Sequence, residues 1–291
     1  MANCDVLVLG AGPAGLTAGL YSARAGAKTI IAENMVPGGQ VNLTPDIMNI
    51  PGFMEINGAE FGEKLLAQAE NAGCEILYDE LESIDIANNT ATFMGETVTY
   101  KNLIIATGAS PRKLGVDNEE YYIGNGIHFC GLCDGQFYNG KDIVIVGGGN
   151  HAVEEILYLY PIAKSITVVN NLAGFTAHKV TIDQIPTDVK VYHNSTVAKI
   201  TGDKKISAIT LNDGTEIQTN GIFVCIGRKP NNEPFSDTID MNKHGYINVN
   251  HEMRTNIPNI FACGDIINKS VYQVVTACSD GAIAATYATK K

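Results

Sequence analysis

Two glycine-rich turns lie 137 residues apart, each closing a short apolar strand and opening a helix. Together they predict an α/β protein with two dinucleotide-binding folds in one chain. The chain after about residue 233 is too short for a third domain, yet it carries a further ligand-like motif, FACGDI (261–266). The second fold is therefore expected to be inserted in the first. Residues 1–112 and 233–291 would form one discontinuous domain, and residues 113–232 the inserted one. At 291 residues the chain is long enough for two cores.

CDVLVLGAGPAGLTAGLYSARAGAKTIIAE opens the chain as strand, glycine turn, helix and strand. DVLVL suits a buried parallel strand, Pro13 a first helical turn, and Gly26 the position just past the helix end. Gly10, Gly12 and Gly15 make GxGxxG at the junction, where missing side chains let a pyrophosphate approach the helix N-terminus. Glu33 follows 23 residues after Gly10, at the end of the next strand. A carboxylate there can accept hydrogen bonds from both hydroxyls of an adenosine ribose.

Later in the chain, KDIVIVGGGNHAVEEILYLYPIAKSITVVNN repeats the pattern, with Gly147, Gly149 and Ala152 as GxGxxA. The same 23-residue count reaches Asn170, the counterpart of Glu33, in the run VVNNLAGF (168–175). ATGASPR (106–112) and CIGRKPN (225–231) fit the crossings between domains, where glycine after a buried strand precedes a proline-containing loop. TATFMGETVTYKNLIIA (90–106) and KISAITLNDGTEIQTNGIFV (205–224) predict small antiparallel meanders, the second turning at Asn212-Asp213-Gly214.

Composition narrows the function classes. An apolar share of 45% and a charged share of 18% exclude disorder. A net charge of −11 argues against nucleic acid or an anionic membrane surface as partner, because both would repel the chain. No window of about 18 uncharged apolar residues exists, and residues 1–9 lack a basic n-region, so neither a membrane span nor a secretory signal is expected and the expected location is cytoplasmic.

Of seven cysteines, Cys4, Cys74, Cys225, Cys263 and Cys278 stand singly in apolar or small-residue surroundings and are expected to be buried, reduced thiols. Cys130 and Cys133 form CGLCDG (130–135), just before the first strand of the inserted fold. A CxxC can be half of a zinc site, a structural accident or a redox dithiol. Zinc would want a second CxxC or a CxxH, and none is present, so no metal site is expected. Beside a flavin-type glycine loop the dithiol is favoured over the accident. Asp134, directly after Cys133, is either a solvated turn residue or helix cap, or the proton donor that disulfide reduction needs for the leaving thiol.

GAGPAG, GGQ (38–40), NIPG (49–52), ATGAS, CxxCDG, GGGNHAVEEILYL, IGRKPN, FACGD and YQVVTA (272–277) follow one another in an order that spans essentially the whole chain. In that ordered set the sequence resembles the low-molecular-weight thioredoxin reductases. The resemblance implies two Rossmann-like (three-layer ββα) domains that swivel, a homodimer, and FAD held by Gly10, Gly12, Gly15, Glu33, Gln40, Asn49, Asp265, Gln273 and Val274. It also implies that Cys133 faces the flavin, that Cys130 attacks the protein substrate, thioredoxin, and that Asp134 is the acid.

One departure concerns the electron donor. NADPH-using members carry an HRRxxxR-type cluster after the second glycine loop; here the positions hold Asn170, Asn171, Leu172 and Thr176. Each lost hydrogen bond to a charged group is worth roughly 1.5–3 kcal/mol, so NADPH should bind more weakly by some orders of magnitude. Asn170 gives NAD no carboxylate either. In this the chain looks like the ferredoxin-dependent flavin thioredoxin reductases, which keep FAD and the CxxC but lack pyridine-nucleotide determinants. The expected route is therefore reduced ferredoxin to FAD, to Cys130–Cys133, to thioredoxin; the alternatives are NADPH or NADH at an atypical site, or a flavin module with a passive redox-sensing CxxC. Arg112-Lys113 and Arg228-Lys229 are candidate docking cations for an acidic ferredoxin.

Overall fold

A computed structural model describes residues 2–44 and 47–290. The chain forms two compact units, Met1–Ser110 with Lys229–Lys291, and Pro111–Arg228. The crossings fall after Ser110 and Arg228, a few residues before the expected boundaries after 112 and 232. Short strands, Ala109–Pro111 and Arg228–Pro230, carry the chain through them, so Pro111 and Pro230 end strands instead of opening loops.

In the first unit the sheet runs in the order Glu75–Leu77, Thr29–Ala32, Ala2–Leu9, Thr97–Ile105, Thr90–Phe93, Leu81–Asp85, and Ile260–Ala262 also pairs with Thr97–Ile105. Ala2–Leu9 is parallel to both neighbours, with Leu7 opposite Ile30 on one side and Leu103 on the other. The unbroken apolar run over residues 6–9 within it has a simple cause, since both faces are covered there. Leu7 and Leu9 pack with Ile30, Leu103, Ile105 and Phe235, while Val6 and Val8 pack with Ala14, Leu16, Ala18, Ala284 and Ala285. Each Val or Leu so buried contributes roughly 1.5–3 kcal/mol relative to exposure.

Gly12 caps the helix Pro13–Arg24, with Pro13 in its first turn. Gly10 sits at φ +101, a conformation closed to most side chains, and a Cβ at Gly15 would collide with the Gly10 carbonyl. Those two positions let the helix start directly on the strand end. The helix Val274–Ala288 packs beside it, where a Cβ at Gly281 would collide with the Ala14 carbonyl.

The second unit repeats the design with a parallel sheet in the order Lys190–Tyr192, Ser165–Val169, Asp142–Val146, Gly221–Val224, Ile127–His128. Val197–Gly202, Ile206–Leu211 and Glu216–Gln218 form an antiparallel sheet, turning at Gly214 with φ +88. The meander expected over 205–224 therefore stops at Gln218. Gly221–Val224 is buried at every residue and joins the parallel sheet, as a continuous apolar run should. The same split occurs in 90–106: Thr97–Thr99 pair antiparallel with Thr90–Thr92, and Leu103–Ile105 pair parallel with Ile260–Ala262.

Cys4, Cys74, Cys225 and Cys263 are buried free thiols, whereas Cys278 is only half-buried on its helix, contrary to expectation. Burial pushes the Cys4 thiol up to about 12 and that of Cys74 up to about 11, which suits inert packing groups. Among the described residues no helix is long and apolar enough to cross a membrane, and no cluster is arranged to hold a metal ion.

Candidate functional site

The first unit gathers chain-distant residues around its glycine turn. A Cβ built at Gly12 meets nothing within 4 Å, and the helix N-terminus behind it has no side-chain cap. The orphan N–H groups thus face open space of the kind a pyrophosphate fills. Glu33, half-buried, accepts hydrogen bonds from the amides of Ala11 at 2.8 Å and Met35 at 3.0 Å, which holds its carboxylate against the turn with acceptor capacity to spare. Gly38 donates from its amide to the Ala11 carbonyl, so GGQ (38–40) lies alongside, and Gln40 donates to the Ala109 carbonyl. Asn49 donates to Gln273 Oε1 at 3.1 Å, joining the NIPG loop to the cap of the helix Val274–Ala288. Val274 turns toward the apolar cluster of Val41, Ile47, Ile56 and Phe61. Asp265 lies 3.6 Å from Lys269, which pairs with Asp280 at 2.7 Å. These residues fit a flavin dinucleotide: a bare glycine cradle for the phosphates and a carboxylate at the ribose distance in sequence.

At the second glycine turn the backbone is nearly the same, with Gly149 capping the helix Asn150–Leu159 at φ −87 and ψ −177, against −75 and −178 at Gly12. The side chain after it differs. Asn170 is 1% exposed, accepts from the Leu172 amide at 3.1 Å and donates to the Gly174 carbonyl at 2.9 Å. Its amide fills the space under Gly148, where a Cβ would collide with it. Where Glu33 stays accessible, Asn170 closes its own loop.

Cys130 and Cys133 form a disulfide with Cα atoms 5.3 Å apart. Both are half-buried, and Leu132 between them is exposed. Cys130 caps the one-turn helix Gly131–Asp134, its sulfur accepting from the Cys133 amide at 3.1 Å. That amide would also stabilise a Cys130 thiolate. Asp134 is no solvated turn residue: it is buried, with Oδ2 3.1 Å from His128 Nδ1, and His128 Nε2 is 2.8 Å from the Tyr138 hydroxyl. His128 and Tyr138 also pack on Phe223. Burial, then the charge of Asp134, pushes the Tyr138 phenol up to about 12, so it stays a neutral hydrogen-bonding group.

Three residues near the disulfide carry no sequence signal: His128, Tyr138 and Glu155. His128 and Tyr138 flank the CxxC at positions that only the folded turn brings together. Glu155 reads as the inner half of an ordinary VEE run, yet it is buried against Gly131.

A family model described as pyridine nucleotide-disulphide oxidoreductase matches residues 4–281. The chain is 40% identical to a 34.2 kDa protein in the rubredoxin operon of Clostridium pasteurianum, covering 98% of this chain and 96% of that one. It is also 40% identical to the thioredoxin reductase of Listeria innocua, covering 98% and 93%. Its fold matches the crystal structure of thioredoxin reductase from Streptococcus pyogenes with a TM-score of 0.91 at 37% identity, over 98% of this chain and 96% of that one.

Proposed function

The chain belongs to the pyridine nucleotide-disulphide oxidoreductase family, and we propose that it passes electrons through Cys130–Cys133 to thioredoxin and that, unlike the family's name, its donor is a reduced ferredoxin. At the coarser level it is a flavoprotein oxidoreductase of the thioredoxin reductase type, with FAD as its cofactor and a redox disulfide. Bound FAD supplies the exchange between one-electron carriers and the two-electron disulfide. In this reading Gly10, Gly12 and Gly15 leave room for its phosphates, and Glu33 accepts from the ribose. Gln40, Asn49, Asp265, Gln273 and Val274 line the remainder. Cys133 receives the electrons, Cys130 attacks the thioredoxin disulfide, and Asp134, oriented by His128, moves the proton of the leaving thiol. A homodimer, as the resemblance implies, would be tested by light scattering.

The observation that carries the donor assignment is the closed loop at Asn170. Its carboxamide is turned to Leu172, Gly174 and, at 3.4 Å, His193, so it is committed to its own loop and brings no charge to a ribose diol or a 2′-phosphate. Lys179, nine residues further on, lies 3.6 Å from Asp183. Of the four candidate docking cations, Lys113 pairs with Glu120 and Lys229 with Glu233 at 2.7 Å. Recruitment of an acidic carrier is therefore expected to depend mainly on exposed Arg112. A second reading, NADPH or NADH as donor, is favoured by the uncapped helix N-terminus at Gly149, which matches that at Gly12. Anaerobic mixing of the oxidised flavoprotein with ferredoxin, NADPH and NADH decides between them. Ferredoxin should bleach the flavin at a rate matching turnover and slow with added salt, and rapid bleaching by either nucleotide would overturn the assignment.

A further inference from the structure

Glu155 faces inward from the helix Asn150–Leu159, among Ala152, Val153, Ile156 and Leu159. A carboxyl at such a position needs a partner or a proton. Its Oε1 is 3.8 Å from His151 Nε2, beyond hydrogen-bonding distance, and Oε2 is buried with no hydrogen-bond partner among the described residues. Oε2 packs on Gly131, the residue that follows Cys130, where a Cβ would collide with it. Apart from half-exposed His151, the groups that face it are acidic: Asp134 from the CxxC helix, Glu154 on its own helix, and the Cys225 thiol beyond the strand Gly221–Val224. Arg228 acts on His151. Burial above all, with Asp134 and Glu154 adding to it and the Gly131 amide opposing, pushes the Glu155 carboxyl up to about 7.

We infer that Glu155 is a second proton-holding group of the redox pair, which binds a proton when the Cys130–Cys133 disulfide opens and releases it when the disulfide re-forms. The inference rests on Cys130–Cys133 being the redox pair. On reduction the S–S bond breaks and two electrons enter. One sulfur takes a proton to become a thiol, and the other remains a thiolate. That thiolate places a negative charge next to Gly131, where the disulfide was neutral, and the repulsion raises the proton affinity of Glu155. Glu155 then takes the second proton from solvent, so two electrons arrive with two protons. On exchange with a disulfide substrate they leave together. Asp134 Oδ1 is likewise buried without a partner among the described residues, but its Oδ2 lies 3.1 Å from His128 Nδ1, whereas the ring beside Glu155, His151, stands at 3.8 Å, so the added charge is answered at Glu155.

The test equilibrates the holoenzyme with a dithiothreitol redox buffer from about pH 6 to 9 and counts labelled Cys130 and Cys133 thiols. Dithiothreitol gives up two electrons and two protons as its own disulfide forms, so the exchange constant reports the protons the protein takes. The constant for Glu155→Gln divided by that for wild type should rise with pH above 7, approaching tenfold per pH unit, the signature of one proton lost from the reduction. Glu154→Gln, an exposed neighbour, should run parallel to wild type. A flat ratio for Glu155→Gln overturns the inference, whereas a pair that yields no labelled thiols at any pH overturns the redox reading itself. Wild type alone gives a second readout. Its infrared difference spectrum on reduction should gain a protonated-carboxyl band that Glu155→Gln lacks, and its absence from wild type, or its persistence in the variant, overturns the inference.

Discussion

His128 Nδ1 lies 3.1 Å from Asp134 Oδ2, with both side chains buried, His128 two residues before Cys130 and Asp134 directly after Cys133. A buried carboxylate that loses its His128 contact keeps its desolvation cost, so His128→Leu should lower folding stability by about 3 kcal/mol and reduce thioredoxin turnover. His128→Asn retains an N–H near the Nδ1 position and should recover much of both. Urea titration with parallel turnover assays checks this, and equal stability of the leucine variant would remove the role given to the contact.

On the proposed flavin site, Glu33 is held against the glycine turn through Ala11 and Met35. Glu33→Ala should weaken FAD retention about tenfold or more, from the roughly 1.5–3 kcal/mol of a charge-assisted hydrogen bond. Equilibrium dialysis of the flavin measures it. Unchanged affinity would mean that the ribose lies elsewhere.

Cys130 and Cys133 differ in their proposed roles, so their variants should differ too. Cys130→Ser should leave Cys133 able to interact with the flavin and shift its spectrum while abolishing thioredoxin reduction. Full activity in this variant would sink the assignment.

Sequence periodicity reached the elements that depend on local rules. Both glycine turns, their strands and their helices follow from where side chains must be absent, and Gly10, Gly15 and Gly12 show the reasons in collision, φ and open space. It stopped short where one segment serves two neighbours: Thr97–Ile105 pairs antiparallel at one end and parallel at the other, and no local pattern marks the change. In the site, CxxCD announces itself because its members are adjacent. His128 with Tyr138, and Glu155 with Gly131, meet only through the packing of the CxxC helix on its neighbours, so residue type and spacing could not select them.

Asn170→Asp supplies the carboxylate an NAD site would want. Here it should not work, because the Asn170 Nδ2 donates to the Gly174 carbonyl at 2.9 Å and an oxygen in its place would face that carbonyl. The variant should lose about 1–3 kcal/mol of stability, the cost of an unsatisfied buried polar contact, and gain no NADH-driven flavin reduction. Stopped-flow absorbance under nitrogen measures the rate, and a fast NADH phase in the variant would count heavily against a closed loop.

Glu155 also makes folding stability depend on pH, independently of any redox step. Its carboxyl is raised from the ordinary 4.5 to about 7, chiefly by burial. The folded chain therefore binds a proton more tightly than the unfolded one, so stability from this group is fully present below about pH 4.5 and is lost as pH rises toward 7. At 1.36 kcal/mol per pH unit the loss across that window amounts to about 3 kcal/mol, other carboxylates adding their own slopes. Glu155→Gln keeps the shape and cannot ionise, so its stability relative to wild type should rise with pH over the same window and level off above it. Urea midpoints of the two proteins at several pH values give that difference directly. Parallel curves would show that Glu155 is as well solvated in the folded chain as in the unfolded one, which its burial against Gly131 contradicts.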